Sequence, residues 1–173
     1  PISSKDFGKN IIPKMLNDGR LMYAYPFRGY WKDVGTIQSL WEANMDLVGE
    51  QPVFDLRDRD WRIFSRNTSE APHFVGEYAK ISNSLITEGC VIEGIVENSV
   101  LASGVRVCRG AYVKDSVIMS NVTVGEGAIV AAGSVVVKPM DEHESLGEKI
   151  GNFLVSYTQN DIEPAAVSDK GGK

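Results

Sequence analysis

The sequence predicts a mainly β protein built around a parallel β-helix of hexapeptide repeats. Three observations predict it. Branched aliphatics recur about every sixth residue from Phe74 to Val137, at Val75, Ile81, Ile86, Ile92, Val96, Leu101, Val107, Val113, Ile118, Val124, Val130 and Val136. Turn formers stand between them, at Gly76, Gly89, Gly104, Gly110, Gly125, Gly127 and Gly133. A longer phrase lies on top: Asn83-Ser84-Leu85-Ile86, Asn98-Ser99-Val100-Leu101 and Asp115-Ser116-Val117-Ile118, 15 and then 17 residues apart. A six-residue apolar period fits neither a helix face nor one long alternating strand. It fits a short strand followed by a tight corner, three times per turn of about 18 residues, with the aliphatics inward and stacked on the turns above and below. Glycine and Asn/Asp serve the corners, where φ is often positive. The few five- and four-residue steps imply trimmed corners. A β-sandwich with glycine turns is the alternative, but its strands would alternate over longer runs.

The chain has 173 residues, room for one large domain or two small ones, and 43% hydrophobic content supports a packed core. A net charge of −5 argues against a nucleic-acid or anionic-membrane surface. Without a signal peptide or a long apolar run, the expected location is cytoplasmic. Cys90 and Cys108 are 18 residues apart, one full turn, so they are expected to stack as small apolar filler in neighbouring turns. No C-x-x-C spacing occurs. The chain opens at Pro1 in what reads as the middle of a larger protein.

Residues 1–50 differ in kind from the repeat. Asp6 to Leu16 suits a short helix with Asp6 near its start, disturbed at Pro13. Asn17-Asp18-Gly19 is a turn, and Leu21 to Phe27 reads as a strand. Thr36 is a good N-cap for an amphipathic helix over Ile37 to Val48, with Ile37, Leu40, Trp41, Asn44 and Leu47 near one face. Strand, loop and capped helix make a piece of an α/β domain, too short to be one alone. Residues 51–73 form a connector with one strand-like run, Trp61–Phe64. Residues 74–137 are the coil, closed by Lys138-Pro139. Residues 138–173 read as a tail, with an apolar run at Ile150–Tyr157 that fits a last strand or cap, and an end expected to be disordered.

Chemistry concentrates in Gly29 to Thr36, GYWKDVGT. An aromatic, a cation and a carboxylate sit in a glycine-flanked loop before a helix N-terminus, a place that favours an anion. Asp33 suits Mg²⁺, since hard cations prefer carboxylate oxygen, and Trp31 suits a sugar face. Taken alone, the same residues read more simply as a turn former, a core aromatic and a solvated charge. The loop has no G-x-x-x-x-G-K-S/T and no nucleophile with a base beside it.

DFGKNIIP at 6–13, YPFRGYWKDVGTIQSLWEANMDL at 25–47 and DRDWRIFSRN at 58–67, followed by the hexapeptide coil, resemble the C-terminal part of the glucose-1-phosphate adenylyltransferases of bacterial glycogen synthesis. The resemblance covers roughly residues 3–135. It implies a left-handed β-helix preceded by the last strand-loop-helix piece of an α/β nucleotidyltransferase domain. It also implies a reaction in which ATP and glucose 1-phosphate give ADP-glucose and pyrophosphate with Mg²⁺, in an allosteric homotetramer. By the match, Asp33 resembles the aspartate that holds the metal near the sugar phosphate, and Trp31 the aromatic lining the glucose site. Tyr30, Lys32 and Gly35 are motif neighbours that shape the loop. The family's glycine-rich nucleotide loop, second metal aspartate and triphosphate-binding basic residues have no match here, so the chain by itself is expected to be inactive.

Two other readings stand beside this one. One is a non-catalytic subunit of the same assembly. The other is a hexapeptide acyltransferase, which would need a histidine base, and the two histidines, His73 and His143, flank the coil rather than project from it.

Overall fold

The computed structural model describes residues 5–65 and 68–146. It divides into two compact units, the first ending at Trp31 and the second beginning at Lys32.

In the first unit, Asp6 caps a single π turn, Phe7–Ile11, its carboxylate accepting the Lys9 N–H at 2.7 Å. Helix α1, Ile12–Asn17, follows directly. Pro13 does not break it. It lies in the first turn, where its missing N–H would have no intrahelical acceptor. The turn at Asn17-Asp18-Gly19 forms, with Gly19 at φ 66°. The strand expected over Leu21–Phe27 does not: among the described residues nothing pairs with it, and Leu21, Tyr23, Tyr25 and Phe27 are exposed. An apolar, β-prone run becomes a strand only when a neighbour takes up its backbone groups.

The second unit begins with the loop before helix α2, Ile37–Met45. Thr36 caps it in a reciprocal box: the Thr36 hydroxyl accepts the Ser39 N–H at 3.1 Å, and the Ser39 hydroxyl accepts the Thr36 N–H at 3.0 Å. The helix ends three residues before the expected Val48, where Leu47 and Val48 turn back onto the Asn44 and Met45 carbonyls. The Trp61–Phe64 run is irregular and exposed, again without a pairing partner among the described residues.

From Phe74 onward the chain is a coil of short parallel strands in three sheets, one per side. The register stacks the aliphatics into three inward columns. Val75, Ile92, Val107 and Val124 form the first. Ile81, Val96, Val113 and Val130 form the second. Ile86, Leu101, Ile118 and Val136 form the third. From Ile92 to Val136 every member is buried, whereas Val75 and Ile81, which begin their columns, are 45% and 37% exposed. Two residues before each column member lies a second inward position, which carries small or short residues: Val105, Ala111, Val122 and Ala128 on two sides, and Ser99, Ser116 and Ser134 on the third. The buried serines are satisfied along the stack. Ser99 Oγ donates to the Glu97 carbonyl at 2.7 Å and accepts the Ser116 N–H at 3.1 Å.

Gly94 occupies that second position where the neighbouring turn comes close. A Cβ there would sit 2.5 Å from the Ala111 carbonyl oxygen and 2.7 Å from that of Cys108, both backbone. Gly94→Ala is therefore expected to destabilise the coil by about 1–3 kcal/mol, the range of overpacked cores. A lowered urea midpoint checks this, and an unchanged midpoint would show that the turns can part.

Three expectations need correction. The coil does not stop at Val137. Met140 is buried and bridges Val124, and Ser145–Leu146 pairs with Ile129–Val130. His143 accordingly does not follow the coil but sits at one of its corners, at φ 58°, its N–H bonded to the Glu126 carbonyl. The cysteines do not stack. The turn that starts at Cys90 is 15 residues long, since Val91 aligns with Arg106 and Ile92 with Val107, so Cys108 falls three residues beyond the level of Cys90. Both thiols are free, and burial pushes both above the usual thiol range. The Ile150–Tyr157 run lies outside the described residues.

Candidate functional site

The repeated phrase builds the corner against which helix α2 lies. Asn83, Asn98 and Asp115 hold φ of 43°, 45° and 45°, and Gly133 at 81° takes the same place in the next turn. Only glycine and short side chains that bond locally tolerate this region well. The side chains form a ladder: Asn83 Nδ2–H donates to Asn98 Oδ1 at 2.7 Å, and Asn98 Nδ2–H donates to Asp115 Oδ1. The Asp115 carbonyl accepts the Gly133 N–H at 2.9 Å and the Trp41 indole N–H at 2.8 Å. A helix side chain thus bonds to the coil's backbone across 74 positions of sequence.

The five residues singled out from sequence divide between the units. Tyr30 and Trp31 close the first, and Trp31 is 76% exposed, so it is not a core aromatic. Lys32, Asp33 and Gly35 open the second. Lys32 is not a solvated charge. Its ammonium lies 2.9 Å from Asp46 Oδ2 and 3.4 Å from Glu42 Oε2, both on or just past helix α2. The hydrogen bond to Asp46, more than any other influence, raises its pKa above lysine's ordinary 10.5. The sign follows: this tie is present in full below the ordinary lysine value and is lost as pH rises through the raised one.

Asp33 lies exposed between that tie and the Thr36 cap. Its carboxylate stands beside Gly35, where an added Cβ would meet its oxygens at 3.8 and 4.0 Å, ordinary contact. Gly35 is thus not required by strain. Beyond Asp33, Val34, Gly35, Thr36, Ile37 and Leu40 line a shallow apolar depression. Among the described residues no group of three or more His, Cys, Asp or Glu could hold a metal. A lone exposed carboxylate still fits Mg²⁺, which commonly takes one or two carboxylates and completes its shell with substrate phosphates and water.

Sequence reasoning named the loop and the cap but missed the partners. Lys32 stands 10 and 14 positions from Glu42 and Asp46, spacings that carry no signal without the loop's path. Trp41 read only as one apolar member of a helix face.

The capped helix with its carboxylate-bearing loop and the hexapeptide coil are each matched by a family model. One described as nucleotidyl transferase matches residues 1–50, and one described as GlmU-like, C-terminal hexapeptide matches residues 71–149. The coil is accordingly the left-handed β-helix of that repeat. The chain is 53% identical over 130 residues to a glucose-1-phosphate adenylyltransferase of Bacillus thuringiensis (strain Al Hakam), covering 75% of this chain and 35% of that protein. The same figures hold for the Bacillus anthracis protein of that name. One from Bacillus cytotoxicus is 51% identical over 141 residues, covering 79% and 38%. The chain is a homologue of the glucose-1-phosphate adenylyltransferases and spans about a third of the length of these curated relatives. No helix among the described residues is long and apolar enough to cross a membrane.

Proposed function

We propose that this chain acts as part of an adenylyltransferase that makes ADP-glucose and pyrophosphate from ATP and glucose 1-phosphate, for glycogen synthesis. The observation that carries the reading is the 53% identity to glucose-1-phosphate adenylyltransferases over 130 residues. The nucleotidyl transferase match over residues 1–50, which contain the Asp33 loop, supports it.

In the reaction, a phosphate oxygen of glucose 1-phosphate attacks the α-phosphorus of ATP. A new oxygen–phosphorus bond forms, the bond to the bridging oxygen breaks, and pyrophosphate leaves with that electron pair. Asp33 would hold Mg²⁺, which when bound offsets the charge of the two phosphate groups brought together. Trp31, an exposed ring, would stack on the glucose face, with Tyr30 beside it in the motif. Lys32 would shape the loop by its tie to helix α2, with Gly35 its motif neighbour beside the Asp33 carboxylate. The β-helix would serve assembly into a homotetramer and allosteric regulation, in the cytoplasm. Of these, the assembly role has support in the coil, whose first strands leave Val75 and Ile81 45% and 37% exposed.

The test is pyrophosphate release by the complete protein with ATP, glucose 1-phosphate and Mg²⁺. Release together with ADP-glucose is expected. Release with UTP but not ATP would move the protein to another branch of the class, and no release would overturn the reading. The 173-residue chain alone is expected to release none, since no nucleotide loop is legible in it.

A further inference from the structure

Helix α2 stands between the coil corner and the loop that carries Asp33, and it is tied to both. Near its middle, the Trp41 indole N–H donates to the Asp115 carbonyl at 2.8 Å. That acceptor is well fixed. Asp115 is a left-handed corner residue, its carbonyl also takes the Gly133 N–H, and its carboxylate takes the Asn98 amide. At the helix's start, Thr36 and Ser39 close the capping box. At its end, Glu42 and Asp46 hold the Lys32 ammonium. Asp33 is thereby bracketed: the residue before it is tied to the helix, and the third residue after it is the helix cap. The loop is thus held to helix α2 on both sides of Asp33. The helix itself has nine residues, and from Ser39 on they are half-buried rather than buried, so the indole N–H bond adds a specific tie to partial packing.

We propose that Trp41 is a positioning residue, whose indole N–H registers helix α2 on the coil corner and so sets where Asp33 presents its carboxylate. This inference rests on the reading of Asp33 as a metal carboxylate. It gives the coil a part in metal binding and makes the corner of Asp115 a support for the loop.

The test uses Trp41→Phe in the complete protein, which keeps an aromatic ring and removes the N–H. The Mg²⁺ concentration for half-maximal pyrophosphate release is expected to rise about tenfold, as when an outer support of a metal ligand is lost. Turnover at saturating Mg²⁺ is expected to be kept. In an Asp33→Asn background, Trp41→Phe is expected to add nothing, because both changes act through one ligand. Independently of activity, amide hydrogen exchange over Leu40–Met45 is expected to speed up. Lower turnover at an unchanged Mg²⁺ requirement would mean a merely structural tryptophan and would overturn the proposal, as would unchanged exchange. If the unsubstituted protein releases no pyrophosphate while exchange still speeds up in Trp41→Phe, the reading of the function has failed, and the positioning role fails with it, while the anchoring contact itself stands.

Discussion

Asp33→Asn in the complete protein is expected to lower turnover by about 10²–10³-fold while leaving the fold intact, the scale seen when one preorganised stabiliser of transition-state charge is removed. The substitution keeps the shape and removes the anionic oxygen that a hard cation requires. The fold is spared because Asp33 is exposed and lies outside the capping box. Turnover measured with the circular dichroism spectrum decides the matter. A spectrum unchanged and a rate unchanged would take Asp33 out of the metal site. A rate restored by raising Mg²⁺ would instead assign it to metal affinity alone.

Leu101→Ala is expected to destabilise the coil by about 2–5 kcal/mol, as for a leucine cut back in a close-packed core. Leu101 is 0% exposed and sits in its column between Ile86 and Ile118. The strands here are only two or three residues long, so a turn has few inward side chains and each carries a large share of the stacking. A urea titration checks this: the midpoint should fall while the slope stays the same. A loss below about 1 kcal/mol would show that neighbouring turns close over the void.

Much of the coil was legible because its inward positions depend on a short local period. Each of the twelve aliphatics read from the sequence stands in one of the three columns. The cysteine stacking was misread for a reason internal to the same argument: a nominal turn of about 18 does not give the length of one particular turn. The segments Leu21–Phe27 and Trp61–Phe64 were misread because apolar alternation announces a strand only if a partner exists, and the partner is not written in the segment. The end of the coil was placed too early at Lys138-Pro139. Met140 takes an inward place after a proline that reads as a stop, and its burial and its bridge to Val124 show it. Of the candidate site, the motif gave the loop and its carboxylate. It could not give the supports, since Trp41 and Asp115 meet across 74 positions and Lys32 finds its carboxylates by the fold of the loop.

The unequal turns have a consequence for how the chain finds its register. Along one side the steps run from Ile81 to Val96, then Val113, then Val130: 15, 17 and 17 residues. Along another they run from Leu85 to Val100, Val117 and Val135: 15, 17 and 18. A perfectly periodic spring could slip by a whole winding at little cost, since every winding would look alike to its neighbours. Here the windings act like the wards of a key. A slip would set a 15-residue loop against a 17-residue one, pulling corner asparagines off their ladder and aliphatics out of their columns. Irregular spacing, which makes the repeat harder to see, sets the first winding apart from those that follow.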